Sequence, residues 1–171
     1  INSKVQRPGV CNALETLIIN SEIYQDMGSL IIQELLKNEV ELFVDEKIKK
    51  DFPNLNLADE AHYETEFLDL KLAVKVVDSV DQAIEHIKVY SSGHTEAILT
   101  ESKEVAETFA KSIDSSVIFI NSSTRFTDGE MFGFGSEIGI STQKLHVRGP
   151  MGLEALTNER YVVTGEGTVR G

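Results

Sequence analysis

The residue best suited to covalent chemistry is Cys11, the only cysteine among 171 residues. It follows Pro8 and Gly9, a pair typical of a tight turn, and Gly9 would let the backbone approach a ligand closely. If a helical turn begins at the thiol, free backbone N–H groups would lower its pKa and could hold an oxyanion. The segment therefore predicts a thiolate nucleophile that attacks an acyl carbon, with a small buried residue that only fills space as the alternative.

Three of the arginines, Arg7, Arg125 and Arg148, fall in segments rich in Gly or Ser. The chain carries a net charge of −12, from 28 acidic and 16 basic residues. Such a surface repels phosphodiester backbones and anionic lipids, so nucleic acid and membrane surfaces are poor partners. Loop guanidinium groups in an acidic protein favour a small anionic ligand. The alternative is that they are surface residues without a binding role.

The remaining polar motifs are weaker indications of function. The stretch 133–139 (GFGSEIG) resembles a dinucleotide fingerprint, but its last spacing is one residue too long and no predicted strand precedes it, so a tight active-site loop is the better interpretation. His94 and His146 have no carboxylate beside them in sequence, which favours structural roles. The four histidines show no metal-ligand spacing and one cysteine cannot form an internal disulfide, so we expect no metal and no disulfide.

Apolar and amphipathic segments alternate along the chain, which predicts an α/β fold with a mostly parallel sheet flanked by helices. The predicted strands are 15–19, 40–44, 70–77, 95–99 and 117–120, and the predicted helices begin at Ser21, Asp45, Ser79 and Ser102. The stretch 121–150 is rich in Gly and Ser and predicts a functional loop. A short helix near 153–156 and a polar strand at 160–164 follow, and a terminal strand of this kind suggests pairing with another chain.

Five segments together resemble the gamma-glutamyl phosphate reductase family of the aldehyde dehydrogenase superfamily. They are 7–17 (RPGVCNALETL), 77–98, 121–129, 137–146 and 148–157. The resemblance implies an aldehyde dehydrogenase-like catalytic domain over residues 1–150, followed by an oligomerisation segment over 151–171. It also implies that a nucleotide-binding half, which precedes this region in the family, is absent from the sequence.

The resemblance further implies the cytoplasmic reduction of L-glutamyl 5-phosphate by NADPH, through a thioester on Cys11, for proline biosynthesis. Catalytic roles fall on Cys11 and Asn12, and Glu66 would contact the nicotinamide ribose. The residues implied to bind the substrate are Arg7, Ser123, Thr124, Arg125 and Arg148. The family likeness also implies a homo-oligomer joined through the C-terminal strand, and a piece of this length should be inactive by itself.

Three alternatives remain at the level of sequence. The chain could be the reductase half of a bifunctional pyrroline-5-carboxylate synthase. It could be a thiol hydrolase that uses Cys11 with His94 or His146. It could also be a non-catalytic module that only assembles through its tail, in which case Cys11 would have an ordinary thiol pKa.

Overall fold

The computed structural model describes residues 1–171 and confirms an α/β fold with parallel strands and flanking helices. The helices are Asn2–Val5 (α1), Ser21–Lys37 (α2), Glu46–Asp51 (α3), Glu60–Glu64 (α4), Val80–Tyr90 (α5) and Lys103–Ser112 (α6). The strands are Thr16–Asn20 (β1), Glu41–Val44 (β2), Asn56–Leu57 (β3), Lys71–Val77 (β4), Thr95–Ile98 (β5), Val117–Ile120 (β6), Ile138–Ile140 (β7) and Gly149–Met151 (β8).

Four strands form the larger sheet, in the order β1-β4-β2-β3 with every pair parallel. The central strands β2 and β4 turn one face of alternate apolar residues toward the core, while Glu41, Lys71 and Lys75 occupy positions on the other face. Leu42, Val44, Leu72 and Val74 are therefore at most 2% exposed. They belong to a core cluster of ten buried residues, to which α2 contributes Ile32 among others.

Helix starts follow the predicted capping chemistry with one exception. The Ser79 hydroxyl accepts from the backbone N–H of Gln82 (3.2 Å), so this predicted N-cap is confirmed. The Ser102 hydroxyl caps α6 in the same way, at the predicted start of that helix. Ser21 was the predicted N-cap of α2, but the cap is Asn20, whose Oδ1 accepts from the backbone N–H of Glu22 at 2.8 Å. An extended backbone at Asn20 lets the helix start one residue earlier.

The strands β5 and β6 pair in parallel as a separate two-stranded sheet. Helices α5 and α6 pack against it around a small core cluster of three buried residues, Ile84, Phe109 and Ile113. The alternating pattern along the chain predicts one mostly parallel sheet, whereas the structure divides the parallel strands between two sheets. The edge strands β1 and β5 face each other across a cleft that both of them line.

The stretch 121–150 is partly ordered by local structure. It contains a 3-10 turn at Thr124–Phe126 and the strand β7, which pairs antiparallel with β8. A second 3-10 turn at Glu154–Leu156 occupies the place of the predicted short helix. The predicted strand at 160–164 is absent, because no neighbouring strand in this chain offers its backbone groups a partner. None of the six helices has the length and apolarity that crossing a membrane requires.

Candidate active site

Cys11 lies in a turn between α1 and β1, and it is exposed. The turn is closed by a hydrogen bond from the backbone N–H of Ala13 to the carbonyl of Val10 (2.9 Å). The backbone at Gly9 passes close to Leu68, since a Cβ added there would lie 3.4 Å from the Leu68 carbonyl oxygen. The nucleophile candidate is therefore presented to solvent on a loop that two neighbouring segments hold in place.

Glu15, which sequence reasoning missed, fixes the position of this loop. Its carboxylate accepts from Lys4 Nζ at 3.0 Å and from the backbone N–H groups of Phe67 and Leu68 at 3.2 and 3.3 Å. Burial lowers the pKa of Lys4 and raises the pKa of Glu15, while their ion pair opposes both changes. One side chain thus ties α1, the Cys11 loop and the loop that carries Glu66 together. A charged residue directly before an apolar strand was the signal that could have revealed it.

Asn12 joins the Cys11 loop to the stretch after β6. It is 5% exposed, and its Nδ2 donates to the carbonyl of Thr127 at 2.7 Å. The Thr124 hydroxyl donates to the Asn12 carbonyl at 2.7 Å, and the Arg125 guanidinium donates to Asn12 Oδ1. Because its side chain is engaged on both sides, Asn12 can offer its backbone N–H to a reacting oxygen more readily than its amide.

A cleft of about 1310 Å³ opens between the two parallel sheets. Among the residues predicted for the site, Cys11, Glu66 and Thr124 line it. His94 lines the same cleft, although the sequence favoured a structural role for it. The cleft brings together residues from the Cys11 loop, the loop after α4 and the start of β5, and none of these segments adjoins another in the chain.

The pKa of the Cys11 thiol is raised above its ordinary value. Desolvation by the surrounding protein is the largest cause, the carboxylates of Glu66 and Glu137 add to it, and a backbone hydrogen bond and Arg125 act in the opposite direction. The sequence-based expectation of a lowered pKa is therefore wrong for this structure. The helix that was expected to begin at the thiol is absent, since α1 ends at Val5 before it.

His94 is held by a chain of hydroxyl groups. Its Nδ1 lies 2.7 Å from the Thr95 hydroxyl, which lies 2.8 Å from the Thr127 hydroxyl. Thr127 is 4% exposed and accepts from Asn12, so the chain ends beside Cys11. Burial lowers the pKa of His94, and the carboxylates of Glu66 and Glu137 oppose this. The same two carboxylates therefore act on both His94 and Cys11.

The other predicted substrate-binding residues do not line the cleft. Ser123 bonds to Ser3 (2.9 Å) and donates to Asn2 (2.6 Å), which ties α1 to the 3-10 turn. Arg125 Nε donates to Gln6 at 2.9 Å, while its charge acts on Cys11. The guanidinium of Arg148 is bound to the carboxylate and carbonyl of Asp114, at 3.0 and 2.6 Å.

Arg7 is exposed and makes no ion pair. The loop 133–139 has Gly133 and Gly135 at positive φ and leads into β7, which differs from the strand-to-helix turn of a dinucleotide fingerprint. Glu137 of this loop packs against Gly129 and acts electrostatically on Cys11. No group of three His, Cys, Asp or Glu side chains is arranged to hold a metal ion.

Known proteins resemble this chain in both sequence and fold. A gamma-glutamyl phosphate reductase of Leptospira biflexa is 55% identical over 171 residues, which is 100% of this chain and 40% of that protein. The crystal structure of gamma-glutamyl phosphate reductase from Thermotoga maritima superposes with a TM-score of 0.91 at 51% identity, over 100% of this chain and 41% of that one. The chain thus spans about two fifths of the length of the curated relatives it matches. No protein-family model matches it.

More distant structures share the fold alone. A propionaldehyde dehydrogenase from Clostridium phytofermentans superposes with a TM-score of 0.60 at 14% identity, over 88% of this chain and 42% of that one. An engineered glycolyl-CoA reductase with bound NADP⁺ superposes with a TM-score of 0.52 at 17% identity, over 82% of this chain and 39% of that one.

These neighbours and the cysteine at the cleft define the class as an aldehyde dehydrogenase-like α/β domain. Within that class the chain is a homologue, along its whole length, of one segment of gamma-glutamyl phosphate reductase.

Proposed function

We propose that this chain supplies the nucleophile and the acyl-binding surface of a reductase that converts L-glutamyl 5-phosphate into L-glutamate 5-semialdehyde and phosphate. The observation that carries the proposal is the exposed thiol of Cys11 at a cleft, in a chain related throughout to gamma-glutamyl phosphate reductases. We place the reaction in proline biosynthesis in the cytoplasm.

The first half of the reaction is acyl transfer to Cys11. Its Sγ attacks the acyl carbon, the backbone N–H of Cys11 or Asn12 donates to the developing oxyanion, and phosphate leaves with the electron pair of the C–O bond. Arg125 is close enough to act on the Cys11 thiol and is our first candidate for an anionic group of the substrate. Ser123, Thr124, Arg7 and Arg148 stay proposed contacts, with Arg148 first requiring release from Asp114.

The second half is reduction of the thioester, for which NADPH would supply the hydride. Glu66 is exposed and lines the cleft together with Cys11, so its carboxylate could accept hydrogen bonds from a ribose hydroxyl there. The NADP⁺ in the glycolyl-CoA reductase of similar fold supports a nicotinamide cofactor for this class. The chain spans about two fifths of the length of the reductases it resembles, and we propose that these 171 residues do not turn over by themselves.

The decisive experiment replaces Cys11 in a full-length reductase in which this chain supplies the matching segment. Cys11→Ala should abolish formation of semialdehyde and of a covalent acyl adduct on the protein. Substrate binding, measured by calorimetry, should change little because the thiol contributes little to ground-state affinity. The exposed Thr157→Val variant serves as the control and should keep full activity. Turnover by Cys11→Ala would end the proposal.

We also propose that the C-terminal segment joins copies of the chain. Tyr161, Val162 and Val163 are 85, 77 and 92% exposed, and their backbone has no strand partner. A β-branched segment of this kind gains most by adding to a sheet edge of a second copy. Val163→Asp should lower the mass measured by light scattering at a fixed concentration. Val89→Asp, at an exposed position on α5 outside this segment, is the matched control, and equal masses for wild type and Val163→Asp would contradict the proposal.

A further inference from the structure

The raised pKa of Cys11 creates a chemical requirement. A thiol must lose its proton to become a strong nucleophile, and a thiol whose pKa is raised keeps that proton at neutral pH. The structure offers it no helix N-terminus, and the carboxylates of Glu66 and Glu137 oppose the thiolate. Attack on an acyl carbon therefore requires a base that reaches the sulfur from the same cleft.

His94 shares the cleft with Cys11, and one of its ring nitrogens is fixed by a hydrogen bond. Its Nδ1 is fixed at 2.7 Å by the Thr95 hydroxyl, which leaves Nε2 for another partner. The hydroxyl chain continues to Thr127, whose carbonyl is bound by Asn12, the residue after the nucleophile. A ring held in this way has one orientation, as the base of a nucleophile–base pair needs.

The other histidines are less suited to this role, although His86 also lines the cleft. His86 is 7% exposed, packs between Tyr63 and Tyr90, and turns its Nδ1 to Lys75 Nζ at 3.3 Å. His62 is paired with Asp59, and His146 bonds to the Ala155 carbonyl at 3.2 Å, which leaves neither beside the thiol. Carboxylates are weaker bases than imidazole by about two pKa units, so Glu66 and Glu137 match a thiol poorly.

We propose that His94 is the general base that takes the proton from Cys11 during acyl transfer. The inference deepens the proposed reductase function and rests on it. As Sγ forms the bond to the acyl carbon, its proton passes to Nε2 of His94 and the carbonyl electron pair moves to oxygen. That pair then re-forms the carbonyl while phosphate leaves. Glu66 and Glu137, the two charged groups that act on His94, stabilise the imidazolium that results.

The same residue closes the proton balance of the second half-reaction. After hydride reaches the thioester carbon, the imidazolium gives its proton to the oxygen, which yields a thiohemiacetal. In its collapse the hydroxyl proton returns to His94 as the carbonyl re-forms, and the C–S electron pair goes to sulfur. The imidazolium then protonates Sγ, so that His94 and Cys11 end as they began and no further acid or base is consumed.

The test measures the acylation step alone, without nicotinamide cofactor, in the full-length reductase described above. Rapid quench and intact-mass analysis follow the acyl adduct on Cys11 from an acyl phosphate substrate as a function of pH. Wild-type acylation should rise with pH through the pKa of His94, which burial places below its ordinary value. His94→Gln should acylate about 100-fold more slowly or worse at neutral pH, with the rise moved up to the thiol pKa.

Two further variants separate the outcomes. His146→Gln is the matched control, because this exposed histidine lies outside the cleft lining, and it should keep the wild-type profile. His94→Ala with added imidazole should regain part of the rate, which a folding defect would not allow. A wild-type pH profile in His94→Gln would overturn the inference about His94, while the proposed thioester on Cys11 would still stand. Absence of any adduct in the wild type would instead overturn the proposed function itself.

Discussion

The two parallel sheets differ sharply in how they are packed. The four-stranded sheet surrounds a cluster of ten buried apolar residues, while the β5-β6 sheet and its helices share a cluster of three. The first carries the nucleophile candidate, since β1 follows the Cys11 loop directly and Glu15 anchors it. The second carries His94 at the start of β5 and leads into the turn that holds Asn12.

This difference in packing indicates that the two sheets have different roles in the site. The well-packed sheet fixes the reacting atom, because a close-packed core allows little displacement of the strand behind it. The thinly packed sheet supplies groups that act on the proton and the substrate, and its smaller core makes local opening less costly. The cleft lies between the two sheets, and its width therefore depends on contacts outside both core clusters.

The largest effect should come from deleting the same atoms in each core. Ile32→Ala removes a side chain with 0% exposure from the ten-residue cluster, and we expect a loss of about 4 kcal/mol in the free energy of unfolding. Ile84→Ala, at 3% exposure in the small cluster, should cost about 2 kcal/mol, because fewer neighbours surround the cavity. Urea unfolding followed by circular dichroism measures both.

The control for this pair is Val89→Ala, a change on α5 at a position that is 68% exposed. It should alter stability by less than about 0.5 kcal/mol. Equal losses for the two core variants would mean that the small cluster is as well consolidated as the large one, and the contrast between the sheets would fail.

A pH titration of stability should give the next largest effect, centred on His86. Burial, with Lys75 as the second cause, lowers its pKa to about 4 from its ordinary value of 6.5. Between these two values the unfolded chain binds a proton that the folded chain does not, so stability rises with pH across that window and is lost as the pH falls. The 2.5-unit difference corresponds to at most about 3 kcal/mol.

His86→Phe should flatten this slope, because phenylalanine can occupy the place between Tyr63 and Tyr90 without titrating. Urea midpoints between pH 4 and 6.5 report the difference, and the exposed, non-titrating change Val89→Ala should leave the slope as it is in the wild type. A slope that persists in His86→Phe would show that other groups carry the pH dependence of this junction.

The contrast between the sheets also shows what the sequence could and could not predict. Each of the five strands predicted between 15 and 120 is present within about two residues of its expected bounds, because apolar runs and Ser caps are local signals. The two-residue strand β3 was not predicted. The division into two sheets was missed, since which strand edges pair depends on packing between distant segments. The missing strand at 160–164 has the same cause, because an edge strand is stable only beside a partner.

The candidate site was predictable to the extent that its residue types carry the chemistry. Cys11, Glu66 and Thr124 were named and do line one cleft. The expected direction of the Cys11 pKa was wrong, because desolvation by the surrounding protein raises it and the carboxylates of Glu66 and Glu137, from segments remote in sequence, add to that effect. A structural role was expected for His94 because no carboxylate stands beside it in sequence, and the link through Thr95 to Thr127 exists only in three dimensions.

A smaller effect should follow from cutting one bond between the two parts of the site. The Thr124 hydroxyl is buried and donates to the Asn12 carbonyl at 2.7 Å. Thr124→Val keeps the shape but leaves that carbonyl unpaired, which should cost about 1–2 kcal/mol in the free energy of unfolding. Thr157→Val is the matched control, because its hydroxyl is exposed and water replaces the bond to Glu154.

The same variant sharpens the comparison through the reactivity of Cys11. As the single cysteine, it can be alkylated with iodoacetamide without competing sites. A loosened Asn12 should let the loop sample more solvent, so alkylation of Thr124→Val should be faster than that of the wild type at the same pH. Unchanged alkylation together with unchanged stability would show that the large core alone positions the nucleophile.

The smallest effect should come from surface ion pairs, one on a helix of each part. Lys37 lies 3.5 Å from Glu34 on α2, and Lys111 lies 3.2 Å from Glu107 on α6. Lys37→Met and Lys111→Met should each change the free energy of unfolding by less than about 0.5 kcal/mol, because both pairs are solvated. Urea unfolding at low and high salt would measure this, with little difference expected between helices. If only Lys111→Met lowered the free energy of unfolding by more than about 1 kcal/mol, and salt removed this effect, surface charge rather than apolar burial would stabilise the β5-β6 sheet.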